Sequence, residues 1–193
     1  MDIDDWEAHY RAAGAATAGS QARVPEPLVA EIADGFRPAA TDQRKRALDL
    51  ACGAGANALW LAEHGWDVTA VDRSPTAIDL VRAHAVQRGV RVTTQVADLE
   101  IHEFKITPGA WDLILMCRYL QRDLLEPARL GLAPGGVLIV IALLSEPGKD
   151  RFRVQPGELA TYFRGSVGWT ILHQREGATR EHRVAEIVVR RDA

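Results

Sequence analysis

Apolar residues along this chain gather into short runs, separated by glycine-rich turns and by segments with a three-to-four-residue apolar spacing. The runs at 47–51 (ALDLA), 66–72 (WDVTAVD), 91–98 (RVTTQVAD), 111–117 (WDLILMC), 137–144 (VLIVIALL), 169–176 (WTILHQRE) and 182–191 (HRVAEIVVRR) predict seven strands. The run at 137–144 is apolar throughout, as expected of a strand buried on both faces of a parallel sheet. Helices are expected between the runs. One spans 56–64 and ends at Gly65; a second spans 75–88, with Ser74 as N-cap, Pro75 at the first helical position and Gly89 closing it. Shorter helices are expected at 123–130, stopped by the APGG segment, and at 156–163. Ahead of the first strand, residues 5–23 read as an amphipathic helix fading into AAGAATAGSQ, a loop or lid. A second short helix follows Pro25 and Pro27 at 28–36, and the polar stretch PAATDQRKR leads into the first strand.

Strands alternating with helices imply βαβ units with right-handed crossovers. The expected fold is α/β: a doubly wound, Rossmann-like, seven-stranded, mostly parallel sheet with an antiparallel final strand and helices on both faces. The last two strands, joined by GAT, would form a hairpin. A length of 193 residues fits one domain, with 1–45 as an N-terminal helical or lid segment and 46–193 as the core.

Composition narrows the partners. The net charge of −3 provides no global positive field for nucleic acid, so a nucleic-acid partner is not expected. Cys52 and Cys117 form neither a disulfide framework nor a metal cluster, and the six histidines show no metal spacing; no metal is expected, and the cysteine usage suits a reducing cytoplasm. The opening MDIDDWEAHY is acidic and lacks an apolar core, so no secretory leader is expected, and the longest apolar run is too short to span a bilayer.

The segment LDLACGAGAN at 48–57 carries the chemistry. It lies where a strand ends and a helix begins, the crevice in which open α/β sheets bind ligands. Gly53 and Gly55 permit a sharp turn and a close ligand approach. Two ligands compete for it. Residues 53–58 satisfy G-x-G-x-x-G/A, and Asp72 lies about twenty residues on, as an NAD site requires. A pyrophosphate would nevertheless find Asp49 a poor neighbour. S-adenosylmethionine (AdoMet) has no phosphate and carries a sulfonium and an ammonium, which an acid at Asp49 suits. Asp72 would then hold the ribose hydroxyls, Asp98 the adenine amino group, and Leu99 would pack on the ring.

These residues resemble those of the class I AdoMet-dependent methyltransferases. The likeness covers 47–144: LDLACGAGAN, then AVD at 70–72, AD at 97–98, WDLIL, and LAPGGVLIV at 132–140. It departs from the usual pattern at Ala51 and Ala56, both common glycine sites. A narrower likeness, to the tellurite-resistance methyltransferase (TehB)-like subfamily, rests on RYLQRDLL at 118–125, QPGELATYF at 155–163, GWTILHQREG at 168–177 and RVAEIVVRR at 183–191. Gln121 stands where that subfamily commonly has His, and the final hairpin is short, with His182 and Arg183 out of the register of the subfamily's His-Arg pair; tellurite or selenite is therefore not an expected substrate.

The residues expected to line the cofactor are Asp49, Ala51, Cys52, Gly53, Gly55, Asn57, Asp72, Arg73, Asp98, Leu99 and Cys117. Methyl transfer from a sulfonium is an in-line displacement with a neutral leaving group, so orientation and desolvation carry most of the catalysis. A small-molecule acceptor is expected near Arg118 and Tyr119, the two candidate catalytic residues. His9, Tyr10 and Arg23 are candidate lid residues. Two other readings stay open: an NAD(P)-linked oxidoreductase, for which no Tyr-x-x-x-Lys is found, and a protein that binds AdoMet without catalysis.

Overall fold

The computed structural model describes residues 3–16, 24–36, 44–145, 152–179 and 182–192. Two compact units divide the chain, Met1–Lys105 and Ile106–Ala193. In the first unit α1 (Ile3–Ala16) and α2 (Pro27–Gly35) precede β1 (Arg46–Leu50), α3 (Ala56–Glu63), β2 (Asp67–Asp72), α4 (Pro75–Arg88) and β3 (Val92–Val96). The second unit carries β4 (Trp111–Cys117), a 3-10 turn (Arg122–Leu124), α5 (Leu125–Gly131), β5 (Leu132–Leu144), β6 (Arg153–Val154), α6 (Glu158–Phe163), β7 (Trp169–Ala178) and β8 (Arg183–Arg191).

The first unit is a parallel sheet in the order β3-β2-β1, with Asp49 beside Ala70 and Asp72 beside Val96. Both connections step the same way along the sheet, so right-handed crossovers place α3 and α4 on one face, where they touch. Helix α4 starts and stops where its sequence says. Ser74 Oγ accepts the Ala77 N–H at 3.0 Å, and Gly89 takes the left-handed conformation (φ 65°) that closes the last turn. Ser74 is fully buried, so no water replaces that bond. Ser74→Ala is expected to cost about 1 kcal/mol, read as a lower urea midpoint at unchanged slope.

In the second unit β4 and β5 pair in parallel, β8 runs antiparallel to β5, and β7 runs antiparallel to β8, giving the order β4-β5-β8-β7. The closing hairpin and the antiparallel final strand are as expected. The seven expected strands are all present; β6, two residues long, adds to them by pairing with the end of β5. Its two residues are too few for any periodic signal. A second correction concerns APGG. It does not stop the preceding helix from outside the sheet but lies inside β5, which already pairs at Leu132 with Trp111. The register then slips before Leu113 meets Val137, so Ala133–Gly136 form a bulge. The expected helix at 123–130 opens as the 3-10 turn and becomes α-helical only from Leu125.

At the N-terminus α1 ends at Ala16. The remainder of the expected loop or lid, including Arg23, lies outside the described residues, as does most of PAATDQRKR. Among the described residues no helix is long and apolar enough to cross a membrane.

Candidate functional site

The turn after β1 is built from four constraints, at residues 51, 52, 53 and 55. Ala51 adopts φ 57°, a left-handed conformation that is uncommon for a residue with a Cβ. The Cys52 N–H donates to Val71 O at 3.0 Å, tying the turn to β2. Gly53 and Gly55 also lie at positive φ, 55° and 82°. A Cβ on Gly55 would stand 2.8 Å from Val81 Cγ2, so the second glycine lets α3 pack against α4. Gly55→Ala is expected to lower stability by about 1–2 kcal/mol for the left-handed backbone alone, with further loss from the Val81 contact; thermal unfolding measures it.

A carboxylate gathers this turn. Asp72, at the end of β2, accepts the Gly53 N–H on Oδ2 at 2.8 Å and the Ser74 N–H on Oδ1 at 2.9 Å. It is buried, and burial pushes its carboxyl up. The two amides pull it partly back, and the charge of Glu7 adds to the rise. Asp49, at the carboxyl end of β1, is more extreme. It is 1% exposed, and neither carboxylate oxygen has a hydrogen-bond partner among the described residues. Burial, helped by the charge of Asp72, pushes its carboxyl up to about 7, which the Ala58 amide, outside hydrogen-bonding geometry, offsets only in part. Burial and the same two acids push the Cys52 thiol well up, so it is no thiolate nucleophile.

The other expected cofactor residues divide. Asn57 Oδ1 accepts the Glu26 N–H at 2.9 Å, which fixes the chain just before α2. Arg73 pairs with Glu100 at 2.6 Å and Asp98 at 3.4 Å. Asp98 Oδ1 accepts the Glu100 N–H at 2.9 Å, and Leu99 is buried. Asp49, Cys52, Gly53, Gly55 and Asp72 therefore form one connected group. Asp98 and Glu100, on the loop after β3, form a second with Arg73, which follows β2 and joins it to the first through the Asp72–Arg73 peptide. Cys117, Arg118 and Tyr119 belong to the second unit. Cys117 ends β4 beside Ile141. Arg118 is held at φ 58° while its N–H donates to Ile141 O at 2.6 Å. The Tyr119 hydroxyl hydrogen-bonds Gln121, and its ring stacks on Phe152 with centroids 5.0 Å apart.

Helix α1 supplies two residues to the first group. A Cβ on Gly53 would lie 2.9 Å from Tyr10 Oη, so Tyr10 lies over the glycine turn. Glu7 Oε2 accepts from Thr76 Oγ1 at 2.5 Å, across 69 positions of chain. Tyr10 was read from the sequence as a candidate lid residue, and the structure sets it against Gly53. Glu7, Thr76 and Glu100 were not so read, because polar residues on helix surfaces and in loops carry no periodic or motif signal. Their only trace was Glu7 lying one helical turn before Tyr10 and Arg11. Among the described residues no group of three or more His, Cys, Asp or Glu could hold a metal ion.

Those carboxylates fit AdoMet. A buried carboxylate with no hydrogen-bond partner among the described residues calls for a cation. The Gly53 amide that a pyrophosphate would take is already held by Asp72.

Residues 47–136 match a family of methyltransferase domains, and the match runs across the boundary between the two units. Three similar curated proteins are methyltransferases by name. The chain is 47% identical over 53 residues to the 2-heptyl-1-hydroxyquinolin-4(1H)-one methyltransferase of Mycobacteroides abscessus (27% of this chain, 23% of that protein). It is 36% identical over 87 residues to the ubiquinone biosynthesis O-methyltransferase of Coxiella burnetii (45% and 36%). It is 30% identical over 107 residues to the ribosomal RNA small subunit methyltransferase C of Alcanivorax borkumensis (50% and 32%). In each case the matched region spans well under half of the relative. Among solved structures the chain resembles TehB from Haemophilus influenzae, with a TM-score of 0.71 at 20% identity over 88% of this chain and 63% of that one. It also resembles the 1,6-didemethyltoxoflavin-N1-methyltransferase of Burkholderia thailandensis, solved with bound 1,6-didemethyltoxoflavin and S-adenosylhomocysteine. There the TM-score is 0.67 at 18% identity over 99% and 87%. At such identities these structures establish the fold: mixed α/β, Rossmann-like, with antiparallel closing strands and flanking helices.

Proposed function

We propose that this chain, whose residues 47–136 match a family of methyltransferase domains, is a class I AdoMet-dependent methyltransferase, that it transfers the methyl group of AdoMet to a small-molecule acceptor and that residues 1–193 work as a single methyltransferase domain. The observation that carries this reading is Asp49: a buried acid with no hydrogen-bond partner for either oxygen among the described residues, beside two glycines at positive φ. Burying a charge without a partner is costly, and a cationic ligand offsets that cost.

AdoMet supplies an activated methyl group on a sulfonium whose loss leaves a neutral thioether. The chain's part is to bind and orient. Asp49 supplies negative charge where a cation is desolvated. Asp72 has lone pairs left beyond the two amides it holds, enough to accept from ribose hydroxyls. Asp98 and Leu99 take the adenine end in this reading, with Arg73 fixing Asp98. Ala51, Cys52 and Asn57 shape the cofactor turn rather than react. In the second unit Arg118 and Tyr119 are the acceptor contacts. Arg118 would hold an anionic acceptor, and the stacked Tyr119–Phe152 pair would provide an aromatic wall. A small acceptor free of nucleic acid and membrane agrees with the net charge of −3 and with the quinolone and ubiquinone-pathway relatives.

Calorimetry is expected to show binding of AdoMet and S-adenosylhomocysteine and none of NADH. Transfer of a labelled methyl group is expected in a screen of small phenols, thiols and heterocycles. NADH binding in place of AdoMet would replace this reading with the oxidoreductase. Methylation of ribosomal RNA alone would remove the small-molecule acceptor, and binding without transfer to any acceptor would leave an AdoMet-binding protein.

A further inference from the structure

The two stacked rings of the second unit are held very differently. Tyr119 is fixed at both ends. Arg118 before it sits at φ 58° with its N–H on Ile141 O at 2.6 Å, and the Tyr119 hydroxyl hydrogen-bonds Gln121. Neither constraint involves Phe152. Phe152 stacks on that ring with centroids 5.0 Å apart and 29° between the planes, and both residues are half-buried. There Phe152 adopts φ 59°, a left-handed conformation that strains so bulky a residue. The chain just after it is clamped. Arg153 pairs with Leu143 in the β5–β6 ladder, and its Nη1 donates to Leu144 O at 2.8 Å. Arg122 donates to Arg153 O at 3.1 Å and grips Glu158 through Nε and Nη2, while Glu158 Oε2 also accepts the Gln155 N–H. A bidentate pair inside such a network holds better than an isolated surface bridge. Phe152 is therefore a strained ring at the edge of a fixed strap. None of these bonds has to break for it to leave Tyr119, and leaving frees its backbone to return to negative φ.

We propose that Phe152 is a placeholder: the acceptor is a planar aromatic molecule that takes the place of Phe152 on the face of Tyr119. This rests on the reading of Arg118 and Tyr119 as acceptor contacts. A ring face attracts a second ring through its quadrupole and through the apolar area covered, at separations such as the one Phe152 already keeps. The chain thus displays, in one of its own side chains, the kind of group that Tyr119 recognises. A flexible aliphatic chain or a compact oxyanion covers little of a ring face and gains little there. The exposed Arg118, next to Tyr119 in the chain, adds positive charge suited to a ring that bears an acidic hydroxyl. Because the acceptor has to displace Phe152, its apparent affinity is reduced by the fraction of molecules in which Phe152 covers the ring. Phe152 is in that sense a specificity-determining residue: a molecule that stacks weakly does not dislodge it.

Calorimetry on the full chain loaded with S-adenosylhomocysteine tests this with two planar probes, phenol and 2-naphthol, each beside its ring-saturated counterpart, cyclohexanol and decahydro-2-naphthol. At least one planar probe is expected to bind about 3–10-fold more tightly than its saturated counterpart. Phe152→Ala is expected to tighten that planar probe by about 3–10-fold and to change the saturated one by less than about 2-fold, since the displacement step is gone. Phe152→Gly, which removes the ring and suits the left-handed backbone, should match it. Tyr119→Leu should erase the preference for the planar probe, and Tyr119→Phe should keep it; a merely structural role would move both members of a pair alike. Equal affinity within both pairs, no binding of either planar probe, or weaker planar binding in both Phe152 variants would overturn the inference while the methyltransferase reading stands. Tighter binding of short single-stranded RNA than of either free ring, lost in Tyr119→Leu, would give the ring face to a nucleobase and overturn it too. If the chain takes up neither AdoMet nor S-adenosylhomocysteine, the methyltransferase reading falls, and this inference with it.

Discussion

Asp49→Asn is expected to stabilise the ligand-free protein at pH 8 and at the same time to abolish most of its affinity for AdoMet. The sign follows from the buried carboxyl. Its value rises from 3.8 to about 7 on folding, through burial first and the Asp72 charge second. The folded state therefore prefers the protonated acid. Stability from this group is complete below the unfolded value and is lost as pH climbs through about 7. A rise of roughly three units corresponds to about 4 kcal/mol lost by pH 8, as an order of magnitude. Asparagine removes the charge at nearly the same volume, so urea unfolding should show the variant ahead at pH 8 and level with the native protein near pH 4. Binding runs the other way. A cation favours the ionised acid, so binding should release a proton at pH 6. AdoMet affinity should fall about tenfold per pH unit below 7. Calorimetry in two buffers of different ionisation enthalpy reads that proton. No proton release, together with equal stability of the two proteins at pH 8, would mean that Asp49 is neutral in the bound state and that the cation is held elsewhere.

Asp72→Ala is the second large effect, and here stability and affinity fall together. The substitution strands two backbone amides, Gly53 and Ser74, each now held at under 3 Å. An amide left unpaired in a buried place costs about 1–3 kcal/mol, so a loss of about 2–4 kcal/mol is expected. It is reduced by relief of the burial that raises the Asp72 carboxyl. AdoMet affinity should fall by about a further 1–3 kcal/mol, because charge-assisted bonds to the ribose are lost as well. Asp72→Asn keeps one acceptor and should lie between. Destabilisation by urea with an unchanged dissociation constant would confine Asp72 to holding the two turns together and would move the ribose elsewhere.

Both effects depend on features of different legibility. The glycine turn was legible because its signal is local: a strand-ending acid, two glycines and a helix start within ten residues. The same holds for α4, whose Ser-Pro start and glycine stop are read from adjacent positions and found as expected. Strand β4 was found over its full expected length. By contrast β6 is two residues that become a strand only because β5 offers them an edge. The APGG segment reads as a helix stop, yet pairing of Leu132 with Trp111 draws it into β5 as a bulge. Register is a property of two strands at once, and one strand's sequence does not contain it.

What the sequence by itself determined is therefore the order of the seven longer strands, the caps of α4, the α/β class and the acids and glycines of the rim, all of which rest on propensities and patterns within a few residues. Only the tertiary structure decided that Asp49 has no hydrogen-bond partner among the described residues, that Asp72 binds the turn as well as facing it, and that Glu7 reaches Thr76 from the far end of the first unit. Those facts arise when distant segments exclude water from one another. Burial, charge coupling and long-range hydrogen bonds exist only once that has happened, and no local pattern encodes them.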